Sequence, residues 1–314
     1  MIYLLIIAAL IVFVILPTLH FAYTFTFHVS RRQRAMPLKL PNGDQYKKSN
    51  NRTAALISEL SSIPYEEVTV TSFDGLRLYG RYYHFSDTAP LHIQFHGYRG
   101  NGLRDFCGGN KIVRDLKHNS IVVDQRAIGK SEGHDITFGV REREDIRTWT
   151  KYAYERFGKA APIFISGVSM GAASVLMASE FEMPGVIGVI ADCPYTSPKA
   201  IIKKVSRGMH MIPSIAYPIT VLSARLFGRF RLENISAAET VKNTKYPILI
   251  IHGEDDRFVP VEMSREIHAA NPSMIQLETF PGAGHGICYM EDTKRYEHLT
   301  REFIERCLAN KIER

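Results

Sequence analysis

The residues with the clearest chemical potential form the sequence Gly-Val-Ser-Met-Gly at 167–171. A short apolar run at 162–165 precedes it, and a stretch of small residues that reads as a helix follows it. This order predicts a strand, a sharp turn with Ser169 at its apex, and a helix, with the hydroxyl held clear of the backbone. The flanking glycines are needed because side chains there would collide with the neighbouring strand and helix. The pattern indicates a serine nucleophile.

A serine hydroxyl needs a base to take its proton and a third group to orient that base. In this architecture the partners follow later strands, with the acid before the histidine in chain order. Asp256 follows one apolar run and His285 follows the next, so both fall where they are required. Asp255 next door and Asp192 at the end of the preceding strand remain alternatives for the acid.

Negative charge that develops on a substrate oxygen needs hydrogen-bond donors beside the serine. One predicted donor is the backbone N–H of Met170, which begins the following helix. The other is the backbone N–H of Tyr98, in the His-Gly-Tyr sequence that ends the third predicted strand. His96 and His252 lie beside glycines at strand ends and are expected to bind loop backbone. This chemistry needs no metal and no organic cofactor.

Strand and helix patterns alternate along the rest of the chain. Two alternating runs joined by Phe73-Asp74-Gly75 predict a hairpin, and short apolar strands then alternate with helices such as 102–117, 141–157 and 261–270. This order predicts a mostly parallel sheet with helices on both faces and an antiparallel edge. Residues 195–243 interrupt the alternation between the predicted sixth and seventh sheet strands, and a cap is expected there.

The net charge of +7 on 314 residues is concentrated in two segments. Residues 31–52 carry seven basic side chains against one acid, and residues 195–232 carry seven basic side chains and no acid. A protein that binds nucleic acid would combine a basic fold with a reading motif, which this chain does not show. Two basic segments on a mildly acidic body indicate either solvated faces or contact with an anionic membrane surface.

Residues 1–30 contain no Lys, Arg, Asp or Glu and are largely apolar. A bilayer takes about 20 such residues to cross. A cleaved signal peptide is the alternative, but no basic residue precedes the apolar run and no clear cleavage site follows it. We expect an uncleaved transmembrane anchor at 1–30, a basic linker with a short helix at 31–63, and the main domain at 64–314.

The basic cluster after the anchor places the main domain on the cytoplasmic side of the cell membrane by the positive-inside rule. The four cysteines are scattered, with no spacing typical of a disulfide framework or of a metal site. Buried or free thiols are therefore expected, and a reducing compartment suits them.

Together these features resemble the α/β-hydrolase superfamily. The matching segments are His96–Asn101, Asp124–Gly133, Gly167–Ala173, Ala191–Ser197, His252–Pro260 and Gly284–Gly286. The chain is similar in particular to a bacterial group with an N-terminal anchor and a short cap, related to membrane-linked serine hydrolases of eukaryotes. The resemblance covers residues 64–310 and implies that Ser169 is the nucleophile, Asp256 the acid and His285 the base. One departure is Ala127, where glycine is common, and it bears on the shape of its loop.

We expect a membrane-anchored serine hydrolase that cleaves a carboxylic, lipid-like or small-molecule ester through an acyl-enzyme. In the cap, one predicted helical face is apolar and the opposite face is basic. The apolar face carries Ile201, Ile202, Val205 and Met209, and the basic face carries Lys203, Lys204 and Arg207. The apolar face either simply packs on the body, or the cationic face also rests on an anionic leaflet from which the ester enters. A serine peptidase or amidase with the same triad, a non-catalytic membrane scaffold, and acyl transfer to another acceptor are the alternatives.

Overall fold

The computed structural model describes residues 1–3, 6, 9, 11–34, 40, 43–158, 161–233 and 235–312. Its centre is an eight-stranded sheet. The strands are β1 (Glu66–Thr71), β2 (Arg77–Tyr83), β3 (Leu91–Phe95), β4 (Asn119–Asp124), β5 (Ile163–Val168), β6 (Val186–Asp192), β7 (Ile248–Gly253) and β8 (Ile275–Phe280). The helices are α1 (Leu16–Thr26), α2 (Arg31–Arg34), α3 (Asp44–Lys47), α4 (Asn50–Ser62), α5 (Gly102–Asp105), α6 (Cys107–Asp115), α7 (Glu142–Phe157), α8 (Met170–Ala178), α9 (Pro198–Gly208), α10 (Pro213–Ser223), α11 (Ala237–Thr240), α12 (Val261–Ala270), α13 (Cys288–Glu291) and α14 (Thr293–Ile312).

The strands follow the order β1-β2-β4-β3-β5-β6-β7-β8 across the sheet. β1 pairs antiparallel with β2 and β2 antiparallel with β4, whereas the pairs from β4 to β8 are all parallel. Strands β3, β4 and β7 are buried along their whole length, as parallel strands are when helices cover both faces. The predicted α/β-hydrolase fold, with its mostly parallel sheet and antiparallel edge, is confirmed.

The parallel strands end at one edge of the sheet, so the loops after β3, β5, β7 and β8 come together there. Most predicted boundaries agree with the structure, and α12 begins and ends at the predicted residues. The helix predicted at 102–117 is instead divided into α5 and α6. It divides at Phe106, which leaves the helical conformation with φ of −115° and ψ of 12°.

Residues 195–243 form a helical insertion between β6 and β7. Helix α9 turns Ile201 and Ile202 toward the body, where both are buried, and leaves Arg207 exposed on its other face. This is the predicted packing of an apolar cap face on the body. Met209, which was predicted on the same apolar face, is exposed because α9 ends at Gly208.

The later part of the N-terminal segment is built into the body, whereas the described side chains before Leu19 are exposed. A π-helical turn at 11–15 leads into α1, which packs against the cap helix α10. Leu19, Phe27 and Val29, all in the predicted anchor, are buried in the body. Among the described residues, no helix combines the length and the apolar character that crossing a bilayer requires. Residues 4, 5, 7, 8 and 10 of the predicted anchor lie outside the described part of the chain.

Candidate active site

Ser169 lies at the turn between β5 and α8, as the sequence predicts. Its backbone has φ of +54° and ψ of −112°, which a non-glycine residue adopts only when its surroundings hold it there. A Cβ on Gly167 would overlap the Gly171–Ala172 peptide, and a Cβ on Gly171 would overlap the carbonyl oxygen of Phe95 on β3. The two glycines therefore allow the strand and the helix to close around the serine.

His285 joins Ser169 to Asp256 in one hydrogen-bonded chain. Its Nε2 lies 2.9 Å from the Ser169 hydroxyl oxygen, and its Nδ1 lies 2.6 Å from Oδ2 of Asp256. Asp255 is exposed, and the structure gives Asp192 a different partner, the Tyr296 hydroxyl at 3.0 Å. The structure thus brings together the three residues predicted from sequence and leaves both alternative acids outside the chain.

Asp256 is held as a carboxylate. Burial by itself would raise its pKa, but hydrogen bonds from His252 and His285 and from the backbone outweigh burial and lower the pKa to about 2. The backbone bonds come from the N–H groups of Phe258 and Val259, each 2.8 Å from Oδ1. Oδ1 is thereby occupied, and Oδ2 faces the imidazole of His285.

The other two histidines at strand ends bind loop backbone, as predicted. In His252, Nδ1 lies 2.6 Å from the Ser264 hydroxyl oxygen, and Nε2 donates to the carbonyl oxygen of Val259 at 2.8 Å. In His96, Nδ1 donates to the carbonyl oxygen of Gly97 at 2.8 Å. Burial lowers the pKa of His96, so its ring is neutral. Neither imidazole is placed to act on Ser169.

The two predicted donor loops meet at the serine. Met170 is the first residue of α8, and the N–H groups of a first helical turn have no partner within the helix. On the other side, a Cβ built on Gly97 would lie 3.4 Å from the Cβ of Ser169, which is van der Waals contact. Tyr98 directly follows Gly97 and lines the same cavity as Ser169.

The loop after β4 is braced by ion pairs of Arg126 and by a hydrogen bond to Asp124. Arg126 is buried and bonds Asp145 at 2.6 and 2.7 Å and Asp74 at 3.0 and 3.1 Å. Asp124 accepts a hydrogen bond of 3.1 Å from the backbone N–H of Lys130. Ala127, which directly follows Arg126, has φ of +66°. This is the left-handed conformation, which explains why glycine is common at that position.

A cavity of about 290 Å³ opens at Ser169 and His285. Its roof comes from the segment predicted to be a linker: Tyr46 of α3, with Ser49 and the first turn of α4, lines the cavity. Burial raises the pKa of Tyr46, so its phenol stays neutral. None of the described residues that line the cavity belongs to the cap at 195–243.

Sequence reasoning missed this roof. The neighbouring Gln45 lies over Gly284, next to His285, where an added Cβ would be 3.1 Å from Cδ of the glutamine. Tyr46 is the one aromatic residue in the polar stretch at 43–52. This residue is the only sign in the sequence that the stretch packs near His285, some 240 positions away.

One group of side chains has the spacing of metal ligands. Cys193, Asp256 and His285 each offer one ligand atom, and these atoms lie within 4.8 Å of one another. A thiol must lose its proton to bind a metal, yet burial raises the pKa of Cys193 well above its usual value. The His285 and Asp256 atoms already share a hydrogen bond. This donor set fits proton transfer rather than metal binding.

The fold and the site together define an enzyme of the serine hydrolase type within the α/β-hydrolase superfamily. Residues 135–311, more than half of the chain, match the prolyl oligopeptidase family. The chain belongs to that family.

The chain is also similar to several known proteins. The uncharacterized protein YqkD of Bacillus subtilis (strain 168) is 25% identical over 248 residues, which cover 77% of this chain and 81% of that protein. The esterase Pf2001 of Pyrococcus furiosus has a TM-score of 0.65 at 21% identity, covering 86% of this chain and 96% of its own. Est1E of Butyrivibrio proteoclasticus, solved with ferulic acid bound, has a TM-score of 0.61 at 22% identity, covering 77% and 100%. These two structures share the fold.

Proposed function

We propose that the protein hydrolyses a carboxylic ester through an acyl-enzyme formed on Ser169. The observation that carries the proposal is the hydrogen-bonded chain from the Ser169 hydroxyl through His285 to Asp256. Because the Asp256 carboxylate only accepts hydrogen bonds, Nδ1 of His285 is the donor toward it. The lone pair of Nε2 therefore faces the serine, in the tautomer that a general base requires.

The reaction follows from this arrangement. Nε2 of His285 takes the hydroxyl proton while Oγ of Ser169 attacks the ester carbonyl carbon. The carbonyl oxygen becomes negative and accepts hydrogen bonds from the N–H groups of Met170 and Tyr98. The imidazolium, stabilised by Asp256, then protonates the departing alcohol. Water repeats the sequence on the acyl-enzyme and releases the carboxylic acid and the free serine.

Two observations favour an ester over a peptide. First, the structural relative Pf2001 is described as an esterase, and Est1E was solved with ferulic acid, an aromatic carboxylic acid, bound. Second, the cavity of about 290 Å³ lies at the small end of the range for small-molecule sites, whereas a peptide needs an extended groove. The peptidase or amidase alternative rests on the family's name, the prolyl oligopeptidase family.

A fluorophosphonate probe and a substrate panel test the proposal. The wild type should be labelled at Ser169 and should cleave p-nitrophenyl esters faster than matched anilides and peptides. Ser169→Ala should abolish labelling and leave the fold intact, since it removes one hydroxyl. Ser179→Ala, at the end of the same helical region and bonded to Leu176, is the control that should label normally. Labelling of Ser169→Ala as strong as that of the wild type would contradict the mechanism.

The protein also acts at the cell membrane in this proposal, with its catalytic domain on the cytoplasmic side. Helix α1 and the cap together expose large apolar side chains, among them Phe21 at 69%, Ile212 at 62% and Ile215 at 55%. Clusters of exposed apolar residues mark interaction surfaces. Exposed basic residues such as Arg31 and Arg207 lie close to them in sequence, which suits anionic lipid.

Flotation of the full-length protein with vesicles tests this partner. Vesicles that contain anionic lipid should carry more protein than purely zwitterionic vesicles, and Ile212→Asn with Ile215→Asn should reduce both fractions. Equal and negligible flotation with the two kinds of vesicle would remove the membrane from the proposal and leave the hydrolase mechanism untouched.

A further inference from the structure

The end of α1 is bonded to the loop that carries Tyr98. The guanidinium of Arg99 donates hydrogen bonds of 3.0 Å to the carbonyl oxygens of Phe25 and His28. We propose that Arg99 is a positioning residue, through which residues 25–28 fix the loop whose Tyr98 N–H binds the oxyanion. This inference rests on the function proposed above. It adds that the rate of catalysis depends on residues 25–28, which take no part in the chemical steps.

The supporting segment is itself fixed to the body, independently of the loop. The Val29 N–H donates to the carbonyl oxygen of His134 at 2.7 Å, and the Ile136 N–H donates to that of Phe27 at 2.9 Å. Phe27 is fully buried. A short antiparallel pairing therefore holds residues 27–29 in place. Of the two carbonyl oxygens that Arg99 binds, that of His28 belongs to this paired backbone, and that of Phe25 lies two residues before it in α1.

Two further contacts tie Tyr98 to the same segment. Its hydroxyl donates a hydrogen bond of 2.8 Å to the carbonyl oxygen of Thr26. Its ring stacks on Phe138 with centroids 5.2 Å apart, and Phe138 in turn meets Phe27 edge-on at 5.8 Å. The hydrogen bond joins Tyr98 to residues 25–28 directly, and the aromatic contacts join it to them through Phe138.

The loop needs such support because its backbone is strained. Arg99 has φ of +47°, the left-handed conformation, which costs a non-glycine residue free energy because its Cβ lies too close to the following carbonyl oxygen. A cation at the C-terminal end of a helix is favoured by the helix dipole, so the position of the guanidinium beside the end of α1 offsets that cost. Without these bonds, the backbone around Arg99 would relax, and the displaced Tyr98 would no longer hold its N–H toward the serine.

Arg99→Met in the full-length protein tests the inference, with Arg141→Met as its matched control. Arg141 also donates to two carbonyl oxygens of a distant segment, those of Gly228 at 3.1 Å and Arg229 at 3.2 Å, but neither of its chain neighbours lines the cavity, whereas Tyr98 beside Arg99 does. With a p-nitrophenyl ester, Arg99→Met should lower kcat about 10- to 100-fold, as a displaced oxyanion donor does. KM should stay unchanged, because the lost interaction is made in the transition state. Arg141→Met should change neither constant.

A second pair of variants covers the case in which Arg99→Met does not fold. Arg99→Asn keeps a residue that tolerates the left-handed conformation but is too short to reach residues 25–28, and it should show the same loss of kcat. Arg99→Lys keeps a cationic donor and should recover part of the rate. Equal kcat values for Arg99→Asn, Arg141→Met and the wild type would overturn the inference, as would equal losses in Arg99 and Arg141 variants.

Labelling of the wild type by a fluorophosphonate separates the two proposals. If the wild type is labelled at Ser169 while the Arg99 variants keep full kcat, only the positioning role fails. If the wild type is not labelled at Ser169, the serine mechanism fails, and the role of Arg99 falls with it.

Discussion

The turn at Ser169 and the loop at Tyr98–Arg99 lie against each other, but the chain holds them by different means. The turn is held by closely packed backbone, because Gly167 and Gly171 let β5, β3 and α8 close on the serine. The loop is held through side-chain hydrogen bonds to residues 71 to 74 positions away in the chain. Packed backbone depends on a few atoms that cannot move, whereas a hydrogen-bonded support is shared among several contacts that can be removed one at a time.

The largest effect is expected from Gly171→Ala. The added methyl group would overlap the Phe95 carbonyl oxygen and lie 2.7 Å from that of His96, and neither backbone atom can yield without moving β3. Overpacking of this kind costs about 3 kcal/mol or more. Urea unfolding followed by the fluorescence of Trp149, the single tryptophan, which is fully buried, measures the loss.

Two other glycines calibrate that result. At Gly97 the nearest atoms to an added Cβ lie 3.4 Å away, and at Gly208 nothing lies within 4 Å. We expect Gly97→Ala to cost less than about 1 kcal/mol and Gly208→Ala to be neutral or slightly stabilising, since alanine favours a helix. Similar losses for Gly171→Ala and Gly97→Ala would show that the turn is not held by the close approach of its backbone.

The backbone turn and the residues that follow strand ends are the features that the sequence predicted. The Gly-Val-Ser-Met-Gly pattern, the order of strands and helices, and the placement of Asp256 and His285 after successive strands can all be recognised from short stretches of sequence. The turn requires glycine at positions 167 and 171, because a Cβ at either position would overlap neighbouring backbone. The site requires the acid to precede the histidine, because each follows a particular strand of the sheet. The geometry of Ser169, Asp256 and His285 therefore followed from residue types and spacing.

The N-terminal contacts could not be predicted in this way. A bilayer and a protein core accept the same apolar side chains, so Phe27 and Val29 read as part of a membrane anchor although the structure buries both in the body. Likewise, Tyr46 lies in a basic, polar stretch, and no periodic pattern connects it to a cavity whose other lining residues extend from position 49 to position 304. Contacts that depend on tertiary packing leave little trace in a single sequence.

Charge is a third means by which the site is stabilised, and the pH dependence of stability at Asp256 allows it to be measured. Its folded pKa of about 2 lies below the usual value near 3.9 of an unfolded chain. Its contribution to stability, about 2 kcal/mol, is therefore present above pH 4 and is lost as the pH falls through 2. The free energy of unfolding should fall by about that much more in the wild type than in Asp256→Asn between pH 5 and pH 2.

The exposed neighbour Asp255 is the control for that measurement. Asp255→Asn should lose as much free energy of unfolding between pH 5 and pH 2 as the wild type does. Its side chain is exposed, and the bond to His285 comes from Asp256. If Asp256→Asn kept the full acid dependence of the wild type, the carboxylate would not be held by His252, His285 and the backbone as the structure indicates.

The smallest effect is expected from Tyr98→Phe, which removes one of the contacts that hold the loop. Loss of the 2.8 Å bond to the carbonyl oxygen of Thr26 should cost about 1 kcal/mol of stability, and kcat should fall less than in Arg99→Met. Because both residues hold the same loop, the two losses should not multiply. Once Arg99→Met has released the loop, adding Tyr98→Phe should lower kcat little further. Losses in kcat that multiplied in full would mean that the two contacts act independently, and the loop would then be no single unit held from a distance.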